Sequence, residues 1–277
     1  PLCLLDLTTI EFVVKLISES QRPIILAGEE IQSELGSKLL AELADLLDVP
    51  VCSVHEKNDV MDNLDRHFLG SIGRFGSVRA MKALQNADLI IAIGTSMYSY
   101  TFIPYYGFKY MDDNKRVIQV TLNPGSLGRI GNLVLGIVCQ AEGFLHALVS
   151  YLKENPTKVK KFSDFTNNFV TIQESIDERL ERIFKGTHNR EVFKVLFEEL
   201  IEGSTFSLDD GAISPVMLLW GRFRNIGSLI TPGNMGEVGF SIPAAIGAKL
   251  ARKDRESYAF LGDGAFTMEL SALITAV

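Results

Sequence analysis

Two sequence patterns alternate along the chain. Short apolar runs alternate with amphipathic segments that have apolar residues three and four positions apart. Strand-length runs that alternate with helical patterns are typical of parallel α/β construction. The first helix, TTIEFVVKLISES, is expected to be capped by the hydroxyls of Thr8 and Thr9. The other predicted helices cover Ser33 to Leu47, Val78 to Leu84 and Glu142 to Glu154, and the predicted strands cover IILAG, Val49 to Val54, Asp88 to Ile93, Arg116 to Leu122 and about Leu133 to Val138.

A break in this pattern predicts a second domain. A polar, lysine-rich passage begins at Asn155-Pro156 and has no strong apolar period until about Phe165. We therefore predict a central, nucleotide-binding-like domain over residues 1–155, a linker with a helix over 156–190, and the first part of a second domain over 191–277. Beyond the linker we expect helices at about 167–184 and 190–202, a strand at Thr205 to Leu208 and a helix from Ser214 to Trp220.

Charge and composition narrow the function classes. A net charge of -7, from 34 acidic and 27 basic residues, argues against nucleic acid or an anionic membrane as a partner. No apolar run is long enough to span a bilayer. Three distant cysteines suggest neither a disulfide framework nor a metal site, which favours a cytoplasmic protein. Four histidines without a common spacing are expected at the surface or as satisfied core residues.

The two ends of the chain predict that it is a fragment. Pro1 stands where an initiator Met is expected, and no signal-peptide pattern follows it. The last pattern, Phe266 to Val277, stops while it is still helical and has no Gly, Asn or Pro stop signal.

Near the end of the chain, SYAFLGDGAF places Asp263 between two glycines after an apolar run. Such an acid at the carboxyl edge of a sheet could hold Mg2+ against a diphosphate, with a helix expected to begin near Ala265 or Phe266. An ordinary strand-to-helix turn without a ligand would have the same sequence pattern.

A second glycine-rich passage, PGNMGEVGFSIPAAIGAKLA, precedes this turn. Gly233, Gly236 and Gly239 recur at every third residue, which suits a loop that lies close to a ligand, and Pro243 occupies a first-turn position. The passage does not match the GxGxxG dinucleotide fingerprint. The preceding acids, Asp209 and Asp210, are either a turn pair or ligand contacts.

Together these passages resemble thiamine diphosphate (ThDP) enzymes of the acetolactate synthase, pyruvate oxidase, oxalyl-CoA decarboxylase and sulfoacetaldehyde acetyltransferase branch. GNMGEVGFSIPAAIGAKLA and FLGDGAF are similar to the start of the diphosphate-binding domain. RPIILAG, NADLIIAIG and RVIQVTLNPGSLGR are similar to the central, Rossmann-like domain. The resemblance thus covers most of the chain.

The resemblance implies site residues. Asp263 would bind Mg2+, Val238 would support the bent form of the cofactor, and further contacts would come from Gly211, Gly236, Gly262, Gly264 and Ala265. Val238 is smaller than the usual Met, Leu or Ile. A second metal ligand, an Asn, is expected beyond Val277, and the Glu that activates the cofactor is expected before Pro1.

The resemblance also implies an activity. The parent enzyme would be a lyase or transferase that cleaves or forms a carbon–carbon bond next to the carbonyl of a 2-oxo acid or aldehyde. It would act as a homodimer or homotetramer, and this segment alone would be inactive. IPYYGFKYMDDNKRVIQVTLNPGSLGR and DDGAIS favour a sulfoacetaldehyde acetyltransferase pattern. Two alternatives remain: an adenine-nucleotide-binding regulatory module, and a non-catalytic paralogue of the same fold.

The sequence also bears on whether the central domain holds FAD as a second cofactor. Relatives that hold FAD or ADP there have an Arg after the glycine that ends a strand, and acids in an I-D-I-D-P pattern. Here Gly94 is followed by Thr95-Ser96-Met97, and Thr121 and Asn123 occupy the acidic positions. FAD binding is therefore doubtful.

Overall fold

A computed structural model describes residues 5–73, 76–103, 109–112, 114–170, 172, 195–200 and 203–276. Within these residues the chain forms two parallel sheets flanked by helices, which confirms the predicted α/β class. No helix in this part of the chain is both long and apolar enough to cross a membrane.

The first sheet has six parallel strands in the order β3-β2-β1-β4-β5-β6. The chain therefore moves outward from β1 in one direction and then outward from β4 in the other. Strands β1 and β4 are buried along their whole length, as expected for a sheet covered on both faces. The strands are β1 (Pro23–Ala27), β2 (Val51–Ser53), β3 (Phe68–Ser71), β4 (Leu89–Ile93), β5 (Arg116–Thr121) and β6 (Asn132–Val138).

Helices cover both faces of this sheet and form two apolar cores. One core contains Ile17, Leu43 and Phe144, all completely buried, and the other contains Met81 and Tyr110. The helices are α1 (Leu7–Glu19), α2 (Glu34–Leu47), α3 (Val78–Asn86), α4 (Ala141–Glu154) and α5 (Ser163–Val170).

Helix α5 packs against α3, and the aromatic side chains of Phe165 and Phe169 join the core on that face of the first sheet. The N–H of Phe162 donates to the carbonyl of Leu47 at 2.9 Å, and Ser163 Oγ donates to Asp48 Oδ2 at 2.5 Å. The predicted helix at 167–184 is described only at its start, and the predicted helix at 190–202 only at residues 195–199, which are helical. The remaining positions of both predictions lie outside the described residues.

The second sheet has three parallel strands in the order β8-β7-β9, with β7 (Thr205–Leu208) between β8 (Leu229–Ile230) and β9 (Ser257–Phe260). Its core contains Leu208, Met217 and Phe223. The labelled helices of this unit are α6 (Ile213–Trp220), α7 (Ser241–Ala251), α8 (Asp263–Met268) and α9 (Ala272–Thr275).

Two local predictions were wrong, and two strands were not predicted. Helix α1 is capped by Asp6, whose Oδ1 accepts the N–H of Thr9 at 2.7 Å, instead of by Thr8 and Thr9. Helix α8 begins at Asp263, two or three residues before the expected start at Ala265 or Phe266. The sequence patterns did not predict β3 and β8, because β3 contains Gly70 and β8 has only two residues.

The loop after β2 joins the two sheets. Asn63 donates its N–H to the carbonyl of Phe223 at 2.9 Å and accepts the N–H of Phe223 on Oδ1 at 3.1 Å. Asn58 Nδ2 donates to the carbonyl of Leu218 at 2.7 Å, and Asp59 Oδ2 accepts the N–H of Gly227 at 2.8 Å. These bonds attach the segment from α6 to β8 directly to the first unit.

Candidate functional site

One edge of the second sheet collects most of the predicted site residues. Strands β7 and β9 are parallel neighbours with Leu208 opposite Phe260, and the N–H of Asp209 donates to the carbonyl of Phe260 at 2.9 Å. The turn that starts at Asp209 and the segment that leads to Asp263 therefore leave the sheet at the same carboxyl edge. Parallel α/β proteins bind their ligands at such edges.

Asp263 is the first residue of α8 and its side chain is exposed. Gly262 is the extended N-cap residue, with φ -83° and ψ 169°. Asp263 Oδ1 accepts the N–H of Gly264 at 2.9 Å. An exposed carboxylate in this position can act as a ligand for a hard cation.

The glycines around Asp263 leave room for a ligand. A Cβ added to Gly262 or Gly264 would meet no atom within 4 Å, and neither residue has a positive φ. Neither packing nor backbone conformation therefore requires glycine at these two positions. A Cβ on Gly211 would also face open space, although its φ of +139° favours glycine. The open space beside these backbones would let a ligand approach them closely.

The glycine-rich loop, residues 231–241, contacts the same edge. Asp209 Oδ1 accepts the N–H of Gly239 at 2.8 Å, and Oδ2 accepts the N–H of Ser241 at 2.9 Å. A Cβ on Gly236 would lie 2.9 Å from Asp210 Oδ2. Val238, between these anchor points, is 44% exposed.

The structure thus brings Gly211, Gly236, Val238, Gly262, Asp263, Gly264 and Ala265 to one edge. Ala265 is 4% exposed, so little of this residue is open to a ligand. In the part of the chain that the structure describes, no three His, Cys, Asp or Glu residues form a group that could hold a metal ion. A cation on Asp263 would therefore need oxygen ligands from a phosphate or from elsewhere.

Two acidic residues at this edge contact the glycine-rich loop in ways that the sequence patterns did not predict. Asp209 is completely buried and holds the glycine-rich loop. Glu269 follows α8, and its side chain occupies the space that a Cβ on Gly239 would need. The sequence signal for Asp209 was an acid directly after a predicted strand. Its partners, 30 and 32 residues away, could not be read from the pattern.

The carboxyl ends of β1 and β4 form the topological switch point of the first sheet, where nucleotides bind in many α/β folds. Here two side-chain carboxylates accept hydrogen bonds from backbone N–H groups that follow β4 and β5. Glu29 Oε1 accepts the N–H of Ser96 at 2.9 Å, and Glu30 Oε2 accepts the N–H of Leu122 at 2.9 Å. Glu30 Oε1 also accepts the hydroxyl of Thr121 at 2.6 Å.

The fold and the glycine-lined edge define a two-unit parallel α/β protein of the kind that binds a ligand at the carboxyl ends of its strands. Comparison with protein families identifies the family to which the chain belongs. Residues 10–148 match the model of the thiamine pyrophosphate enzyme central domain, and residues 211–277 match that of the C-terminal TPP-binding domain. The chain belongs to the thiamine pyrophosphate enzyme family, as its sequence motifs predicted.

Individual relatives are similar at moderate identity. The chain is 27% identical to the sulfoacetaldehyde acetyltransferase of Alcaligenes xylosoxydans xylosoxydans, over 97% of this chain and 49% of that protein. It is 26% identical to the putative thiamine pyrophosphate-containing protein YdaP of Bacillus subtilis, over 94% and 44%. It is 28% identical to the mitochondrial acetolactate synthase catalytic subunit of Aspergillus candidus, over 95% and 40%. The chain spans about half, or less, of the length of these relatives.

Proposed function

We propose that the chain is part of a longer ThDP- and Mg2+-dependent enzyme that cleaves or forms a carbon–carbon bond next to a carbonyl. The observation that carries this proposal is Asp263, an exposed carboxylate between two glycines that neither packing nor backbone conformation requires. This residue lies within the segment that matches the TPP-binding domain.

In this proposal Asp263 is a Mg2+ ligand and the cation joins it to the diphosphate. The edge also carries the carboxylates of Asp210 and Glu269, which would repel a bare diphosphate, so a divalent cation is needed between them. The backbones at Gly211, Gly236, Gly262, Gly264 and Ala265 would contact the cofactor. Val238 would support its bent form.

When bound, ThDP supplies a nucleophilic carbon and stabilises the negative charge left by bond cleavage. The residues of this chain would bind and orient the cofactor. The acid that activates it and a second metal ligand, a Glu and an Asn by resemblance, would come from outside residues 1–277. We further propose a cytoplasmic homodimer or homotetramer in which another domain completes the site.

For the substrate we propose a small aldehyde or 2-oxo acid, with sulfoacetaldehyde preferred. The names of two similar proteins, a sulfoacetaldehyde acetyltransferase and an acetolactate synthase, support these two classes. The test is to incubate the full-length enzyme with sulfoacetaldehyde or pyruvate and to follow substrate loss with and without ThDP and Mg2+. Turnover that requires both additions supports the proposal. A pure enzyme that binds no ThDP contradicts it.

The alternative, an adenine-nucleotide-binding regulatory module, predicts a nucleotide at the switch point of the first sheet. We expect ADP, CoA and FAD to give no saturable heat in calorimetry at millimolar concentration. The carboxylates of Glu29 and Glu30 already accept the backbone donors there and would repel a phosphate.

The matched variant for this measurement is Glu30→Gln, which removes one negative charge and keeps an acceptor for Leu122. Tight binding of ADP or FAD to the unmodified chain would favour the regulatory module. Binding only by the Gln variant would show that the carboxylate itself excludes nucleotides.

A further inference from the structure

Both carboxylate oxygens of Asp209, which lies outside the proposed metal site, accept a backbone N–H. Asp209 directly follows β7 and is fully buried. One oxygen accepts the N–H of Gly239 at 2.8 Å and the other accepts the N–H of Ser241 at 2.9 Å. A buried carboxylate is costly unless such donors satisfy it, so this arrangement is specific.

The backbone of Asp209 is itself held in place. Its N–H donates to the carbonyl of Phe260 in β9, and its carbonyl accepts the hydroxyl of Ser214 in α6. Ser241 is the first residue of α7, where the N–H groups lack partners within the helix and favour a negative charge. The carboxylate therefore connects the central strand of the sheet to the start of α7.

Val238 lies directly before the residues that Asp209 holds. Gly239 has φ +95°, and the side chain of Glu269 lies where a Cβ would project, so its backbone is confined from a second direction. On the other side of Val238, Gly236 has φ +63° and lies against Asp210. The backbone that follows Val238 is thus held by hydrogen bonds, while the Val238 side chain stays 44% exposed.

We infer that Asp209 is a positioning residue that sets the location of Val238 through the backbones of Gly239 and Ser241. The inference rests on the proposed function, in which Val238 supports the bent cofactor. Val has a short side chain and cannot reach far, so the distance from its backbone to the cofactor decides whether contact is made. The buried carboxylate of Asp209, which is anchored to the sheet, fixes the position of the Val238 backbone already in the protein without cofactor.

Asp209→Asn in the full-length enzyme tests this inference. The amide keeps one acceptor oxygen and places an NH2 donor against one of the two N–H groups, so the loop must shift. A displacement of about 1 Å near a reacting centre can cost about 100-fold. We expect kcat to fall about 10- to 100-fold and the amides of Gly239 and Ser241 to exchange faster. The matched control is Asp254→Asn, which makes the same change at an exposed acid paired with Arg252 and should keep wild-type kcat.

A double-mutant cycle separates positioning from a general structural role. If Asp209 acts through Val238, Asp209→Asn should lower kcat no more than about 3-fold in a Val238→Ala background, because interacting sites are non-additive. Multiplicative losses would overturn the inference.

One measurement needs no variant. In the wild-type protein without cofactor, the amides of Gly239 and Ser241 should exchange more slowly than that of Gly233, and equally fast exchange would overturn the inference. If wild-type enzyme binds ThDP and Asp209→Asn keeps full kcat, only the inference fails. If wild-type enzyme binds no ThDP, the proposed function fails as well.

Discussion

Asp263→Ala in the full-length enzyme is expected to weaken ThDP binding by at least about 100-fold in the presence of Mg2+, because residues that only support metal ligands already contribute 10- to 100-fold. The carboxylate is the one side-chain ligand for the cation that we assign within this chain. Calorimetry with ThDP at a fixed Mg2+ concentration measures the effect directly. Asp263→Asn keeps one oxygen but no charge, and should fall between wild type and Ala.

Loss of binding must be separated from loss of folding. Asp263 is exposed, and an acid in the first turn of a helix typically contributes only about 0.3–1 kcal/mol. The melting temperature without cofactor should therefore stay close to that of wild type, while its increase on addition of ThDP and Mg2+ disappears. Asp254→Ala, at an exposed acid of the same unit, should keep both properties. Normal binding by Asp263→Ala would rule out the metal-site assignment.

The elements that the sequence predicted well are those whose pattern is local. Strands β1 and β4 are continuous apolar runs that end at a glycine, and α2 has Ser33 as its N-cap, which accepts the N–H of Gly36 at 2.9 Å. Such signals depend on neighbours within a few residues, so they can be read directly. The turn around Asp263 was recognisable for the same reason, because strand, glycines and helix follow one another without a gap.

The features that escaped prediction depend on distant partners. The bonds from Gly239 and Ser241 to Asp209 join residues 30 and 32 positions apart, and the bond from Gly227 to Asp59 joins residues 168 apart. Asp209 and Asp210 look identical as letters, yet one is completely buried and the other is exposed. Only the packing of the glycine-rich loop distinguishes an ordinary turn residue from one that holds the site.

The contact between the two sheets depends on another buried acid, Asp59, which is 1% exposed. Its Oδ2 accepts the N–H of Gly227 at 2.8 Å and that of Leu229 at 3.2 Å, and Oδ1 has no hydrogen-bond partner among the described residues. Asp59→Ala leaves both N–H groups without an acceptor. Only the N–H of Leu229 belongs to a buried residue, because Gly227 is exposed. An unsatisfied buried donor costs about 1–3 kcal/mol, so we expect a loss of about 1–3 kcal/mol in the free energy of unfolding. Faster exchange of the Gly227 and Leu229 amides should locate the damage.

Asp59→Asn should behave differently and should reveal a pH dependence. Burial raises the pKa of Asp59 above 3.8, although the charge of Lys57 and the N–H groups of Leu229 and Gly227 act against it. A raised carboxyl pKa means that the folded state holds the proton more tightly than the unfolded state. The stability contribution of Asp59 is therefore complete below the unfolded pKa and is lost as pH rises through the folded pKa. Asn keeps an acceptor for both N–H groups and does not titrate.

The free energy of unfolding of Asp59→Asn, relative to wild type, should consequently rise as pH increases from 4, by about 1.4 kcal/mol for each unit of pKa shift. Denaturant titrations at pH 4, 6 and 8 measure this difference. The control is Asp62→Asn, at a half-exposed acid of the same loop that pairs with Arg224, and it should differ from wild type by no more than about 0.5 kcal/mol at each pH. A constant difference between Asp59→Asn and wild type would mean that Asp59 keeps its ordinary pKa. The hydrogen bonds from Gly227 and Leu229 would then offset the cost of burying the charged carboxylate of Asp59.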